Sequence, residues 1–334
     1  AFDSLIAIRH EFHFLAFFLF LLLLKDTKRI IAILDFFIVI AMIILILSII
    51  NYFDIKIFYH MYAEGHGLRA GVKRGFIPNM NFYVFCLFWC LSKWVNKTGN
   101  LRSTRIASLI LLTVPILRQA RMIMLGVSTV LAGLLLLKLR IKVILIMLAI
   151  GLLAVFAVNI TMEKNIIIEN YRTVFENVSS NRGTWASRSK QIKIDLAEFK
   201  KHPWCGDGLA AVREAGHTWR QLKVSQKAFK WDLGWTTWLK FYGIIGIIWL
   251  FLFYGIQIFM AFKVYLNSDG YNRSLATLGL CFIFYHLITF ITLNPLVYPP
   301  DITLVVLNAA IIVFLYKNLK MNSRKLPANP ISDS

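Results

Sequence analysis

Acidic side chains are scarce in this chain, and several ingredients of familiar sites are missing with them. Its 17 aspartates and glutamates face 37 lysines and arginines, a net charge of +20 over 334 residues. The few carboxylates form no Asp-x-Asp pair and no His/Asp/Glu cluster at metal-ligand spacing, so no metal is assigned. No GxxxxGK[ST] loop occurs and no GxGxxG follows a strand, so no nucleotide and no other cofactor is assigned. The four cysteines are Cys86 and Cys90 in one apolar run, Cys281 in another and Cys205 alone in a polar segment. They offer neither a disulfide framework nor a zinc motif. The long apolar runs lack strict alternation, which excludes a membrane β-barrel. No repeat with a period of about 20–50 residues is present, and the polar tail NSRKLPANPISDS is the one low-complexity stretch.

Hydrophobic residues, in contrast, make up 58% of the chain, aromatics 14%, and the mean hydropathy is +0.65. Those values lie beyond a soluble domain and indicate a polytopic, all-α integral membrane protein. About nine apolar runs are candidate spans: 10–24, 30–50, 79–94, 106–117, 122–137, 141–160, 237–262, 274–292 and 303–317. The run 106–117 is short and needs its neighbours. Four regions follow: transmembrane helices over 1–158, an extracytoplasmic loop over 159–236, further transmembrane helices over 237–320, and a tail over 321–334. The chain opens against a span as AFDSLIAIRHEF, which leads us to expect spans upstream.

Every second connection is basic. Lys25, Lys28 and Arg29 follow the first run, Lys93, Lys97, Arg102 and Arg105 the third, Lys138, Arg140 and Lys142 the fifth. Lys263 and Arg273 follow the seventh, and Lys317, Lys320, Arg324 and Lys325 the last. The positive-inside rule makes these ends and the C-terminus cytoplasmic, and puts Ala1 and the loop 159–236 outside.

A loop of that length is more than a connector. Ile192, Leu196 and Phe199 fall at helical spacing among lysines and acids, which predicts an amphipathic helix over 189–201, ended by Pro203, with its apolar stripe against the other spans or the membrane surface. A second helix is expected over 163–178, and 204–231 reads as irregular.

Arginines gather on the outer side: Arg9, Arg69 and Arg74 in GLRAGVKRGFIPN, Arg118 and Arg121 in ILRQARMIMLG, and Arg182 and Arg188 in the loop. A guanidinium binds phosphate oxygens two at a time and is costly near hydrocarbon unless something polar or anionic meets it. One such arginine snorkels to headgroups as readily as it binds substrate; several together point to an anionic lipid-linked substrate. Glycosyl transfer there needs charge stabilisation for a departing diphosphate, a general base and a groove for the lipid. Candidate bases are Asp232, at the loop's return to the membrane, and His217 in EAGHTWRQ; salt bridging of Asp232 to Lys230 or Arg220 is the competing reading. His10, His13, His60, His66 and His286 are expected to be interfacial or packing residues.

The stretch RSKQIKIDLAEFKKHPWCGDG (188–208) resembles the Arg … Pro-x-x-Gly-x-Gly signature of the O-antigen polymerase and O-antigen ligase superfamily, with Arg188 fifteen residues before Pro203. RGFIPNMN (74–81) is similar to that family's Gly-Phe-x-x-Pro-Asn entry into a span. QARMIMLG (119–126) is similar to its Ser-Arg-x-x-x-x-Gly turn, with Ala120 in place of serine. DLGWTTWLKFYGIIG (232–246) is similar to its Asp-x-Gly … Gly-x-x-Gly element re-entering the membrane. Asp232-Leu233 stands where the ligase branch usually has His-Asn, so the polymerase branch is the better match.

The resemblance implies a metal-independent glycosyltransferase of the bacterial cytoplasmic (inner) membrane that polymerises undecaprenyl-diphosphate-linked repeat units. Arg121 and Arg188, with Arg69 or Arg74 and with Arg118 and Arg182 nearby, would hold diphosphates. Asp232 or His217 would act as base, and Gly206 and Gly208 would let backbone approach substrate. Implied partners are the lipid-linked glycan, membrane lipids, a chain-length regulator and a flippase, with no nucleic acid. The alternatives are a ligase acting on a lipid A core, a flippase of anionic lipids, for which matched broken helices and internal repeats are expected and not seen, and a structural partner of an assembly complex.

Overall fold

A computed structural model of the chain describes residues 11–52, 68–69, 72–73, 79–118, 121–138, 183–208, 234–291, 296 and 299–325. They are helical apart from turns and a two-residue antiparallel ladder of β1 (Leu68–Arg69) with β2 (Val72–Lys73). A short 3-10 turn, Glu11–Leu15, leads into α1 (Ala16–Leu23), followed by α2 (Thr27–Tyr52), α3 (Met80–Asn96), α4 (Leu101–Arg118) and α5 (Arg121–Lys138). Then come α6 (Gly183–Lys201), α7 (Gly234–Asn267), α8 (Gly270–Thr289) and α9 (Pro299–Lys325).

Helices stand at eight of the nine apolar runs, and the ninth run, 141–160, lies outside the described residues, as does the helix expected over 163–178. Three of these helices are long and apolar enough to cross a membrane: Thr27–Ile50, Gly234–Asn267 and Pro300–Asn322. Their outward faces are oily. Phe36, Val39, Ile43 and Ile46 of α2 are exposed at helical spacing, and so are Ile245, Ile248, Leu252, Ile256, Phe259 and Leu266 of α7. The stripe from Ile245 to Leu266 rises about 32 Å at 1.5 Å per residue, close to the hydrocarbon thickness of a bilayer. An outside this apolar is stable in lipid and not in water, so the chain is a membrane protein.

Helix α8 lies at the centre, packed against α3, α5, α7 and α9. Phe282 meets Phe85 of α3 edge to face at 4.8 Å, and Gly279 makes room for Ile312 of α9. His286 is buried against the Phe282 ring at 4.3 Å, a packing residue as its sequence context suggests. Several polar groups between the helices pair with one another, while others, both ring nitrogens of His286 among them, have no partner among the described residues. Thr98 and Ser274 share a 2.9 Å hydrogen bond, Asn96 Nδ2 donates to Thr277 Oγ1 at 2.9 Å, and Asp35 accepts from Trp89 Nε1 at 2.8 Å and Lys93 Nζ at 2.6 Å.

These contacts fix direction. The C-terminus of α3 meets the N-terminus of α8 through Asn96–Thr277 and Thr98–Ser274, and Thr27 at the start of α2 donates to Asn272 at 3.2 Å. Arg273 lies over the Tyr265 ring near the end of α7, and Phe259 packs on Tyr316 of α9. Basic connections distant in sequence therefore collect at one end of the bundle. The opposite end holds α6, the start of α7 and the end of α8, joined by Trp235 and Trp238 against Phe290 at 5.0 and 6.0 Å.

Two expectations are corrected here. The amphipathic helix is longer than 189–201, and its most buried residue is not one of the apolar stripe. Asp195 is buried and Arg188, Gln191, Ile192 and Phe199 half-buried, whereas Leu196 and Ile194 are exposed. The face toward α7 is thus centred on an acid rather than on the apolar stripe, because α7 offers it a threonine and a lysine. A broken helix is also present: Gly243, at φ 61° and ψ −160°, interrupts α7. It separates an arm, Gly234–Tyr242, from the apolar remainder.

Candidate functional site

The break at Gly243 is where the polar segment attaches. Past the end of α6 the chain turns through HPWCGDG, with Gly206 N donating to His202 O at 2.9 Å, and runs along the interrupted turn of α7. Asp207 N donates to Lys240 O at 2.8 Å and Gly208 N to Phe241 O at 3.0 Å; in return Ile244 N donates to Pro203 O at 2.9 Å and Ile245 N to Trp204 O at 3.1 Å. Four backbone groups that the break deprives of intrahelical partners are satisfied by four from the loop.

This approach of backbone to backbone explains the glycines. Gly206 and Gly243 both have positive φ; a Cβ on Gly206 would come within 2.5 Å of the Phe241 carbonyl carbon, and one on Gly243 would overlap the Trp204 carbonyl. The close approach expected of Gly206 is therefore to the protein's own backbone. Gly208, at φ 68°, faces open space.

Side chains reinforce the attachment. Asp195 is 2% exposed and accepts from Gln191 Nε2 at 2.8 Å, from Thr237 Oγ1 at 3.4 Å, and pairs with Lys240 Nζ at 3.7 Å. Burial raises its pKa above the ordinary carboxylate value, and the contacts from Gln191, Lys240 and Thr237 offset that only in part. Arg188, two turns earlier on the same face, differs: its Nε is enclosed and has no hydrogen-bond partner among the described residues. Of the two cations at this interface, Lys240 is matched by Asp195 and the Arg188 Nε is unmatched.

A second polar group lies at the same end. Tyr285 of α8 donates to Asn81 Oδ1 at 2.5 Å, Asn81 hydrogen-bonds the buried Asp301 in the first turn of α9, and Gly126 of α5 lies against the Tyr285 ring. Asn79 caps α3 in the left-handed conformation, accepting from Phe82 N at 3.4 Å, so a helix begins at the head of the apolar run 79–94. Through Gly126, the start of α5 is set beside the end of α8, so the backbones of Arg121, the first residue of α5, and Arg118, the last of α4, belong to this end together with Arg188. Arg69 sits in β1. Asp232, His217, Arg74 and Arg182 lie outside the described residues.

Asp195, Lys240 and Asp301 were not singled out from sequence. Asp195 had a signal, the spacing Arg188, Gln191, Asp195 at i, i+3 and i+7, which puts three polar groups on one face. Asp301 follows two prolines at the head of an apolar run, the place where an acid complements a helix N-terminus.

Three outcomes test this attachment. Gly243→Ala and Gly206→Ala should each release α6 from α7, read as protease sensitivity after Lys201 and a loss of roughly 3 kcal/mol or more in detergent unfolding, whereas Gly208→Ala should cost only the positive-φ strain of about 1–2 kcal/mol. Asp195→Ala should cost about 3 kcal/mol by stranding Lys240, and Lys240→Met in the same chain should recover most of it. Folding takes up a proton at Asp195, so its docking should be strongest below the ordinary value of 3.8 and weaken as pH rises through the raised value; Asp195→Asn should abolish that slope.

Against known proteins, no family model matches the chain and no curated protein matches it.

Proposed function

We propose that this chain is a glycosyltransferase of the bacterial cytoplasmic membrane that joins undecaprenyl-diphosphate-linked repeat units on the outer face. The observation that carries the reading is Arg188, a permanently charged side chain with an enclosed Nε and no partner for it, on a helix fastened to the end of the bundle opposite the basic connections. An enclosed guanidinium N–H without an acceptor is unfavourable unless an anion or dipole meets it, and a lipid diphosphate reaching this half-buried side chain is such an anion. The basic end faces the cytoplasm by the positive-inside rule, with about nine spans between the faces and α6 outside.

In the reaction, the acceptor sugar hydroxyl of one lipid-linked unit attacks the anomeric carbon of the glycan on another. The bond from that carbon to the diphosphate oxygen breaks, and undecaprenyl diphosphate leaves with the electron pair. Arg188, with Arg121, Arg118, Arg182 and Arg69 or Arg74, meets the growing negative charge. Asp232 takes the hydroxyl proton, with His217 as the alternative base, and the open side of Gly208 offers backbone to the substrate. A chain-length regulator and a flippase are the expected partners.

The break in α7 favours a second reading, a flippase, because interrupted helices hold substrates and ions at their free ends. Here the loop 203–208 occupies four of the freed backbone groups, which speaks for an anchoring break.

Proteoliposomes given only lipid-linked repeat units distinguish the readings. The proposal predicts a ladder of chain lengths, reduced about a hundredfold or more in Arg188→Ala and Arg188→Lys with insertion unchanged. Transfer only to an added lipid A core would make the protein a ligase, and translocation without new glycosidic bonds a flippase. Asp232→Asn should abolish the ladder while His217→Ala leaves it; the reverse result would move the base to His217.

A further inference from the structure

The loop at the end of α6 is placed at a definite depth. Trp204 O accepts from Ile245 N at 3.1 Å, and Ile245 is the first residue of the exposed apolar stripe that runs down α7 to Leu266. Since that stripe matches the hydrocarbon thickness, its first residue marks the boundary between acyl chains and headgroups. Trp204 is 66% exposed at that level. Leading to it along one edge of α6 are Lys193, Leu196 and Lys200, at i, i+3 and i+7, all exposed; Lys201 is instead paired with Glu198 at 3.0 Å. A tryptophan at the boundary, a leucine beside it and two lysines alongside are the composition of a surface that rests in an anionic headgroup layer.

We infer that this edge of α6 with Trp204 is a membrane-docking surface whose partner is the headgroup layer of the bilayer that α7 crosses: the indole sits at the acyl boundary, and Lys193 and Lys200 take anionic lipid phosphates. Membrane contact then holds α6 from one side while Asp195 and the 203–208 backbone hold it from the other. The inference needs only that α7 spans a bilayer and is independent of the reaction assigned to the chain.

Cys205 is the natural reporter, because Cys86, Cys90 and Cys281 are buried and it alone is exposed. The full-length protein is labelled there with a nitroxide and reconstituted in phosphatidylcholine vesicles with or without a minority of phosphatidylglycerol, and collision rates with oxygen and with a water-soluble nickel chelate are compared. The expected result is strong oxygen access and nickel access at least about fivefold below that of free label, with the protection deeper on anionic vesicles. Trp204→Ser should raise nickel access toward the free-label value. Lys193→Glu/Lys200→Glu should remove the dependence on phosphatidylglycerol, at about fivefold per lysine. Nickel access equal to that of free label in the unmodified sequence, or protection that neither substitution changes, overturns the inference.

Discussion

The break in α7 and the loop that fills it are the constraint on which the rest depends. An interrupted helix leaves carbonyls and amides without partners, and close to hydrocarbon water is not there to take them. The chain resolves this by laying Pro203–Gly208 along the gap, so that two amides of the loop donate to α7 and two amides of α7 donate back. Because the partners are backbone groups, the register is fixed: neither strand of this contact can slip without orphaning a group. The position of α6, and of every side chain on it, follows from that one closure.

With α6 fixed, the electrostatics divide into two kinds. Asp195 and Lys240 neutralise each other in a buried contact that Gln191 and Thr237 complete, an arrangement that specifies how the helix sits. The Arg188 Nε is enclosed with no equivalent partner among the described residues. The Nε of Arg273 at the opposite end is likewise enclosed and unpaired, but that guanidinium meets Asp269 at 3.8 Å, whereas the half-buried Arg188 meets no carboxylate among the described residues and is proposed to meet an anion that comes and goes. Placing Arg118 and Arg121 at the same end, by the seating of Gly126 on Tyr285, is what joins the proposed diphosphate site to the bundle.

Much of the helical layout was legible, because apolar runs near twenty residues have few other stable fates. The attachment was legible only in part. HPWCGDG and Gly243-Ile-Ile-Gly246 stood out by their glycines, but nothing in one sequence says that they touch; sites forty residues apart are paired by the fold. Periodicity told only part of α6: Ile192 and Phe199 of the expected stripe are half-buried and Leu196 is exposed, but the most buried position is Asp195. An acid among lysines looks solvated until a neighbouring helix brings Thr237 and Lys240 to it, and burying Asp195 then turns Leu196 outward. The Asn81–Tyr285–Asp301 group was hidden for the same reason, since three helices contribute one residue each.

The central claim, that the unmatched Arg188 is kept for a lipid diphosphate, is most directly tested by cryo-electron microscopy of the full-length protein in nanodiscs containing undecaprenyl diphosphate. The account predicts phosphate density within hydrogen-bonding distance of the Arg188 guanidinium, at the end of the bundle where α6 meets the broken helix. Diphosphate bound among the lysines of the opposite end, or Arg188 turned to bulk water with the ligand bound elsewhere, would contradict it.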